Sequence, residues 1–336
     1  MRGMRPSSLE GTNWTFAHVL GDQRFWVREN LPPGFFDFLC SVNPSPSSHK
    51  LIARRFFEEA GLATADLYAS GISLDQAMDV VSQTRRCFVK PEYGGGGNGT
   101  IGLVRRGTRF LNTLSGEARS LGNWRRYLAA SQKLYRCKRW MVEELLVRRG
   151  TEASPPDEYK FFAFAGTIVH VDARRATWEG GASAKFRTFD SAWNPVDTGA
   201  YTGVYANSLD ESIPPLRGRE REDFTEAAQR MSRRRPIPFT RIDLYSTDRG
   251  IVGGELTIVT GGSSLFSNQW RDRLAEAWDE AAARMSEEIQ RGDMDDIIEF
   301  YSHVMEETRP IWRPVMWRRR LQKLPGFLKR RLALVR

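Results

Sequence analysis

The sequence predicts an α+β fold of more than one subdomain, not a doubly wound parallel sheet. Three observations carry that reading. Strand-like segments fall in neighbouring pairs, EYKFFAFAG with TIVHVDARR and FTRIDLY with IVGGELTIV, so each can turn back on its partner. Helical periodicity lies between groups of strands, not between each strand and the next. The 336 residues, 40% apolar and 27% charged, suit a globular chain of roughly one to three subdomains.

In chain order, residues 1–46 read as a turn-rich packed arm punctuated by Pro32, Pro33, Pro44 and Pro46. A helix is predicted from Ser47 or Ser48, either of which can cap it, through HKLIARRFFEEA to a stop at Gly61. SLDQ at Ser73–Gln76 is a capping box that opens a second helix reaching about Gln83. RCFVK and TIGLVRR are strands on either side of a glycine loop, and a helix is expected over much of 110–132. KRWMVEELL (138–146) reads as a strand, or a strand and then a hinge. Residues 158–175 form two strands joined at Gly166, each near period-two alternation. GASAKFRTFD is a further strand, 220–233 a helix, and the segments around STDRG a hairpin. Helices follow over 270–290 and 294–307, and no internal repeat is visible. The predicted division is an arm (1–46), a subdomain carrying the glycine flap (47–140), a subdomain carrying an acidic hairpin (141–290) and a helical basic tail (291–336).

Composition removes several function classes. No apolar run reaches the ~18 residues of a membrane span. The N-terminus has two arginines but no apolar h-region, so no secretory signal is expected. Cys40, Cys87 and Cys137 are isolated, which argues for a reduced, cytoplasmic chain and against a zinc site. From Met305 to Arg336, ten basic residues oppose Glu306 and Glu307, so this tail holds +8 of the net +9. The body is close to neutral and no nucleic-acid partner is expected. The tail interleaves Trp312, Trp317 and Phe327 with its basic residues. It reads either as an amphipathic segment on anionic lipid at the inner membrane face, or as one packed on the body or a partner protein. His18, His49, His170 and His303 show no catalytic spacing, and His170 alternates with valines as a core or surface residue would.

Two motifs carry chemistry. FVKPEYGGGGNGT contains a formal GxGxxG in Gly94, Gly96 and Gly99, but a strand follows it where the dinucleotide motif needs a helix. It also lacks the GK[ST] ending of a Walker loop. What remains is a hairpin whose tip is nearly bare backbone. Either it is a flexible turn beside a surface lysine, or it is a flap that offers N–H groups to phosphate oxygens, with Lys90 as the fixed positive charge. In TRIDLYSTDRGIVGGELTIV, alternation puts Arg241, Asp243 and Tyr245 on one face, with Ile242 and Leu244 opposite. On the return strand Gly253, Glu255, Thr257 and Val259 share a face, and a turn near Asp248–Arg249 sets Asp243 opposite Glu255 to within one residue. Two adjacent carboxylates repel unless a cation intervenes. Either Arg241 pairs with both, or a hard divalent cation sits there with phosphate oxygens.

With both motifs in view and in this order, the chain resembles the ATP-grasp superfamily, and within it the TupA-like ATP-grasp proteins named for teichuronopeptide biosynthesis. The likeness covers roughly 47–285 and is carried by KPEYGGGGNG, WMVEELL, EYKFFAFAGTIVHVDARR, FRTFDSAW and RIDLY…GGELTIVTGG. It implies ATP clamped between two α+β subdomains with Mg²⁺ shared between phosphates and acidic side chains. On that likeness Lys90 contacts phosphates, with Gly94, Gly95, Gly96, Gly97 and Gly99 closing over them. Glu143, Glu144, Leu145 and Leu146 form the hinge at adenine, and Lys160 is a second nucleotide-side lysine. Arg174, Arg187 and Arg241 are the candidates for neutralising the transferring phosphoryl group. Asp243 and Glu255 are the metal ligands, with Thr257 where many relatives carry an asparagine ligand. Only about 46 residues precede the likeness, too few for the separate substrate domain of the larger ligases. The implied reaction joins a carboxylate-bearing substrate to an amine-bearing small molecule or glycan through an acyl-phosphate, in cell-surface polysaccharide or polymer biosynthesis. The alternative is an ATP-grasp phosphotransferase acting on a sugar or similar hydroxyl.

Overall fold

The computed structural model describes residues 16–42, 50–92, 99–135, 138–175, 185–196, 213–258 and 268–310. These form two antiparallel sheets with helices laid against them, the α+β arrangement expected. The first sheet has the order β1-β6-β2-β3-β4-β5: β1 (Leu67–Ile72), β2 (Arg86–Pro91), β3 (Ile101–Arg106), β4 (Arg109–Asn112), β5 (Ala118–Arg119) and β6 (Trp140–Glu143). The second runs β11-β10-β7-β8-β9: β7 (Asp157–Phe164), β8 (Thr167–Arg175), β9 (Lys185–Asp190), β10 (Phe239–Thr247) and β11 (Gly250–Thr257).

Each sheet buries one face under helices. Against the first lie α4 (Leu74–Gln83) and α5 (Leu121–Tyr135), which enclose Val89, Leu103, Trp140 and Val142 together with Met78, Val81, Trp124 and Leu128. The α4 capping box is present, with the Ser73 hydroxyl accepting from the Gln76 N–H and the Gln76 side chain accepting from the Ser73 N–H. The second sheet buries Phe161, Val171, Ile242, Leu244 and Leu256 under five helices. These are α1 (Phe16–Asn30), α2 (Phe35–Val42), α3 (Lys50–Glu59), α6 (Gly218–Arg233) and α8 (Asp295–Glu307). On its opposite face α7 (Asn268–Arg291) covers Phe162, Phe164, Phe186 and Phe239 through Trp270, Leu274 and Ala281, and leaves the rest of that face polar.

Four expectations are corrected. The N-terminal arm is two helices: Pro32 and Pro33 lie between them, and Phe35, Phe38 and Leu39 recur at helical spacing into the core. The α1 Gln23 amide donates to the Ile258 carbonyl and accepts from the Phe239 N–H. The predicted 110–132 helix begins only at Leu121, because Gly107 (φ +63°) turns the chain and Arg109–Asn112 adds a strand to β3. Strand β1, broken by Gly71 and Ser70, went unread; it pairs with β6 through register shifts. The cores cut across the predicted division: α3 belongs to the second sheet through Phe56 and Phe57, and β6, which straddles the 140/141 boundary, lies inside the first sheet.

The hairpin register is Arg241↔Thr257, Ile242↔Leu256, Asp243↔Glu255 and then Leu244↔Gly253. One residue, Gly254, is therefore extra, a β-bulge that turns Gly253 to the apolar side, opposite to the expected shared face with Glu255. There a Cβ on Gly253 would lie 2.4 Å from the Phe57 ring. Gly253→Ala is expected to lower unfolding stability by about 1–3 kcal/mol through overpacking. Denaturant unfolding measures this, with an unchanged midpoint counting against the packing assignment.

Candidate functional site

The polar face of the second sheet is a row set by register. Across the strands, Glu255 of β11, Asp243 of β10, Lys160 of β7, Asp172 of β8 and Thr188 of β9 stand side by side. The neighbouring row holds Tyr245, Glu158 and Arg174. Asp243 has no solvent exposure. Arg241, two residues earlier on the same face, donates Nε to its Oδ1 at 2.7 Å and Nη2 to its Oδ2 at 2.8 Å, and Lys160 Nζ donates to the same Oδ2. Lys160 is also 2.8 Å from Glu158, which stands 3.7 Å from Arg174. Thr188 Oγ1 donates to Asp172 at 2.7 Å.

Burial alone would raise the Asp243 pKa, but Arg241 and Lys160 outweigh it and hold the carboxyl below its ordinary range. The same balance raises Lys160: burial would depress it, and Asp243 with Glu158 more than offset that. Glu255 goes the other way. Burial and then the charge of Asp243 raise it, and among the described residues only Arg241, at 3.5 Å, approaches it as an ion-pair partner.

The first sheet meets this face. On the side of β2 and β6 away from their helices stand Phe88, Lys90, Met141 and Glu143. Lys90 pairs with Glu143, and its ammonium lies 5.7 Å from the Phe88 ring centre. At Tyr245, burial and then the charges of Glu158, Asp243, Glu255 and Glu143 push the phenol pKa well up. That ring lies against the bulge glycine, where a Cβ on Gly254 would be 2.4 Å from Tyr245 Cε2. Arg249, in the β10–β11 turn, fastens the arrangement: it pairs with Glu144 and lies 3.2 Å from Asp66.

The sequence-derived residues thus divide. Lys160, Arg174, Arg241, Asp243, Glu255 and Thr257 share one face, and Lys90 and Glu143 converge on it from the other sheet. Arg187 does not join them: it pairs with Ala173 on the core-facing alternation of β9 and donates Nη1 to the Ile213 carbonyl at 2.9 Å. The Glu144 carboxylate serves Arg249, and its N–H donates to the Asp66 carbonyl at 2.7 Å. Leu145 is buried with Val104 and Val147. Gly94–Gly97 lie outside the described residues, as does the tail beyond Pro310; Gly99 has φ +71°. Glu158 and Asp172 were missed, although each sits two residues from a chosen cation on a strand, and period two alone places them on its face.

The residues fit a hard cation. Asp243 and Glu255 are directly opposed, and the buried Thr257 Oγ1 has no hydrogen-bond partner among the described residues. No group of three or more His, Cys, Asp or Glu side chains suited to a metal occurs among those residues. The two carboxylates match Mg²⁺, which takes one or two carboxylates and completes its shell with substrate phosphates and water.

The sequence matches the family of TupA-like ATPgrasp proteins over residues 45–277, from ahead of α3 into α7. No curated protein sequence matches it. Among solved structures it is similar to D-alanine–D-alanine ligase from Bacillus anthracis, with 13% identity over 71% of this chain and 68% of that one and a TM-score of 0.43. It is similar also to the VanG D-Ala:D-Ser ligase from Enterococcus faecalis, with 14% identity, 67% and 60% coverage and a TM-score of 0.39. For D-cycloserine synthetase DcsG the values are 13%, 80% and 81%, and 0.40. The chain spans about three fifths of the Enterococcus ligase's length.

His170 is no candidate base. It is fully buried, stacked on Phe162 at 3.8 Å and edge-on to Trp270, and burial pulls its pKa down to about 4 despite Asp172. A folded-state pKa below the unfolded value of about 6.5 means that the unfolded chain binds the extra proton. Its contribution to stability is therefore present above pH 6.5 and lost as pH falls towards about 4, by about 1.4 kcal/mol per pH unit. In His170→Phe, urea melts across that window should show a correspondingly flatter decline; an unchanged slope would sink the assignment.

Proposed function

The chain belongs to the TupA-like ATP-grasp family, and from that premise we propose that it is a Mg·ATP-dependent carboxylate–amine ligase of cell-surface polysaccharide or polymer biosynthesis. The observation that carries this reading is the Glu255–Asp243–Lys160 row on one sheet, fastened through Arg249 and Glu144 to the sheet that bears the Lys90–Glu143 pair. Lys90, held by Glu143, meets the triphosphate from the first sheet, under the glycine flap. Lys160 and Arg241 present fixed positive charge from the second. Arg174, 45% exposed at the end of β8, is aimed by a rigid strand at the transferring group. Asp243 and Glu255, with Thr257 beside them, would hold magnesium, which would neutralise charge on the phosphate oxygens.

In this reaction a substrate carboxylate oxygen attacks the γ-phosphorus as the bond to ADP breaks. The amine nitrogen of the second substrate then attacks the acyl carbon, loses a proton and expels phosphate. What the chain supplies is orientation and cationic side chains in a cleft that limits water. No helix among the described residues is long and apolar enough to cross a membrane. The charge of the tail supports a place at the inner, anionic face of the membrane, on the cytoplasmic side.

The test incubates the full chain with Mg·ATP and candidate acids and amines. Amide formation with release of ADP and phosphate supports the proposal; a phosphorylated product with no free phosphate overturns it in favour of a phosphotransferase. Mg·ATP should raise the thermal midpoint of the native chain, and Asp243→Asn should abolish that rise. Arg174→Ala should lower kcat about 10²-fold or more while leaving the Mg·ATP-induced rise intact, since it removes stabilisation of the transition state and not of the bound nucleotide.

A further inference from the structure

On the opposite side of the second sheet, α6 ends in the run Arg233-Arg234-Arg235. The face of α6 that meets the sheet is apolar, through Phe224, Ala227, Ala228 and Met231. Beyond that contact its last turn and Ile297 of α8 border a groove of about 350 Å³, lined by Glu226, Arg230, Arg233 and Arg234. Three guanidinium groups thus face one carboxylate.

Two of the three are fixed from behind. Arg230 donates Nε to the Ala60 carbonyl at 2.9 Å and lies 3.7 Å from Glu226. The Arg233 stem lies over Gly166, where an added Cβ would come within 2.7 Å of its Cγ. Arg234 is exposed and meets no carboxylate among the described residues. Next in sequence, Arg235 is fully buried beside the stacked rings of Phe56 and Tyr301, its guanidinium carbon 5.1 and 5.3 Å from their centres. It donates Nη1 to the Tyr301 hydroxyl at 2.9 Å, while its Nε and Nη2 find no partner among the described residues. Tyr301 lies one turn along α8 from Ile297, so this uncompensated buried cation stands behind the groove.

Basic residues in the last turn of a helix answer its carbonyl dipole, and that accounts for one or two of these arginines. It does not account for a concave trio, nor for a buried cation past the helix end that forms no ion pair with a carboxylate among the described residues, an arrangement that is costly unless negative charge comes near. Guanidinium forks match phosphate oxygens in pairs, and the volume suits a small ligand. We propose that the α6–α8 groove is a second anion site, which binds a phosphate monoester or diester through Arg230, Arg233 and Arg234, on the side of the sheet away from the acidic row.

The shared chemistry has two sources, a soluble organic phosphate and a phospholipid headgroup. The full chain is titrated with glycerol 3-phosphate by calorimetry and, separately, sedimented with phosphatidylglycerol or phosphatidylcholine vesicles. Either saturable glycerol 3-phosphate binding or phosphatidylglycerol-selective sedimentation is expected, weakened about tenfold or more in Arg233→Gln/Arg234→Gln. It should be little changed in Arg219→Gln/Arg221→Gln, which removes the same charge at the other end of α6, and unchanged in Asp243→Asn, which separates this site from the cleft. Soluble binding assigns a metabolite-sized ligand, and vesicle binding alone assigns the headgroup. Equal weakening by the two arginine pairs, no effect of the first, or no binding in either arm overturns the site.

Discussion

Asp243 is a carboxylate without solvent contact in the middle of a sheet face, and the second sheet's chemistry depends on how that charge is held. Taking such an ion out of water costs several kcal/mol, to be offset by excellent geometry or not at all. Arg241 supplies two parallel hydrogen bonds from the same strand and Lys160 a third from the next. The balance is not local, because Lys160 is shared with Glu158 and Glu158 with Arg174. Among the described residues Glu255 is left with Arg241 alone, at 3.5 Å. The row is thus over-supplied with cations at its centre and under-supplied at Glu255, beside Thr257, which is where a hard cation would relieve the most repulsion.

Two adjacent glutamates serve different ends, one within the first sheet and one between the sheets. Glu143 faces the cleft and holds Lys90, whereas Glu144 holds Arg249 in the hairpin turn. The strand period of two makes this division unavoidable, since neighbours on an extended chain point to opposite sides. The same turn is tied again where the Gly253 N–H donates to the Ala63 carbonyl at 2.8 Å. The acidic platform is therefore referenced to the hinge through both side chains and main chain.

Much of this was legible beforehand, for identifiable reasons. The hairpin register could be read because alternation around a short turn leaves one solution; it failed only at Gly253, where a bulge shifts the period and no side chain marks the shift. Arg187 became a candidate through the family likeness alone, and the alternation of β9 turns it to the core-facing side beside Ala173, since a strand residue of that parity faces the core whatever its charge. The helices of the first 46 residues were hidden by prolines that lie between them, and β4 by apolar residues too few to show a period. The Arg249–Glu144 contact spans 105 residues and leaves no local trace.

Gln23 has a consequence for how the chain can be divided. Its single amide spans the Phe239 N–H at the start of β10 and the Ile258 carbonyl just past the end of β11, while Trp26 donates to the Ala282 carbonyl at 3.1 Å. Helix α1 therefore works as a staple across the outer margin of the acidic hairpin. Trimming the chain to the stretch that carries the family likeness would strip that staple away and uncover the aromatic side chains beneath it. For anyone preparing a minimal fragment, the leading segment belongs with the second sheet and its core.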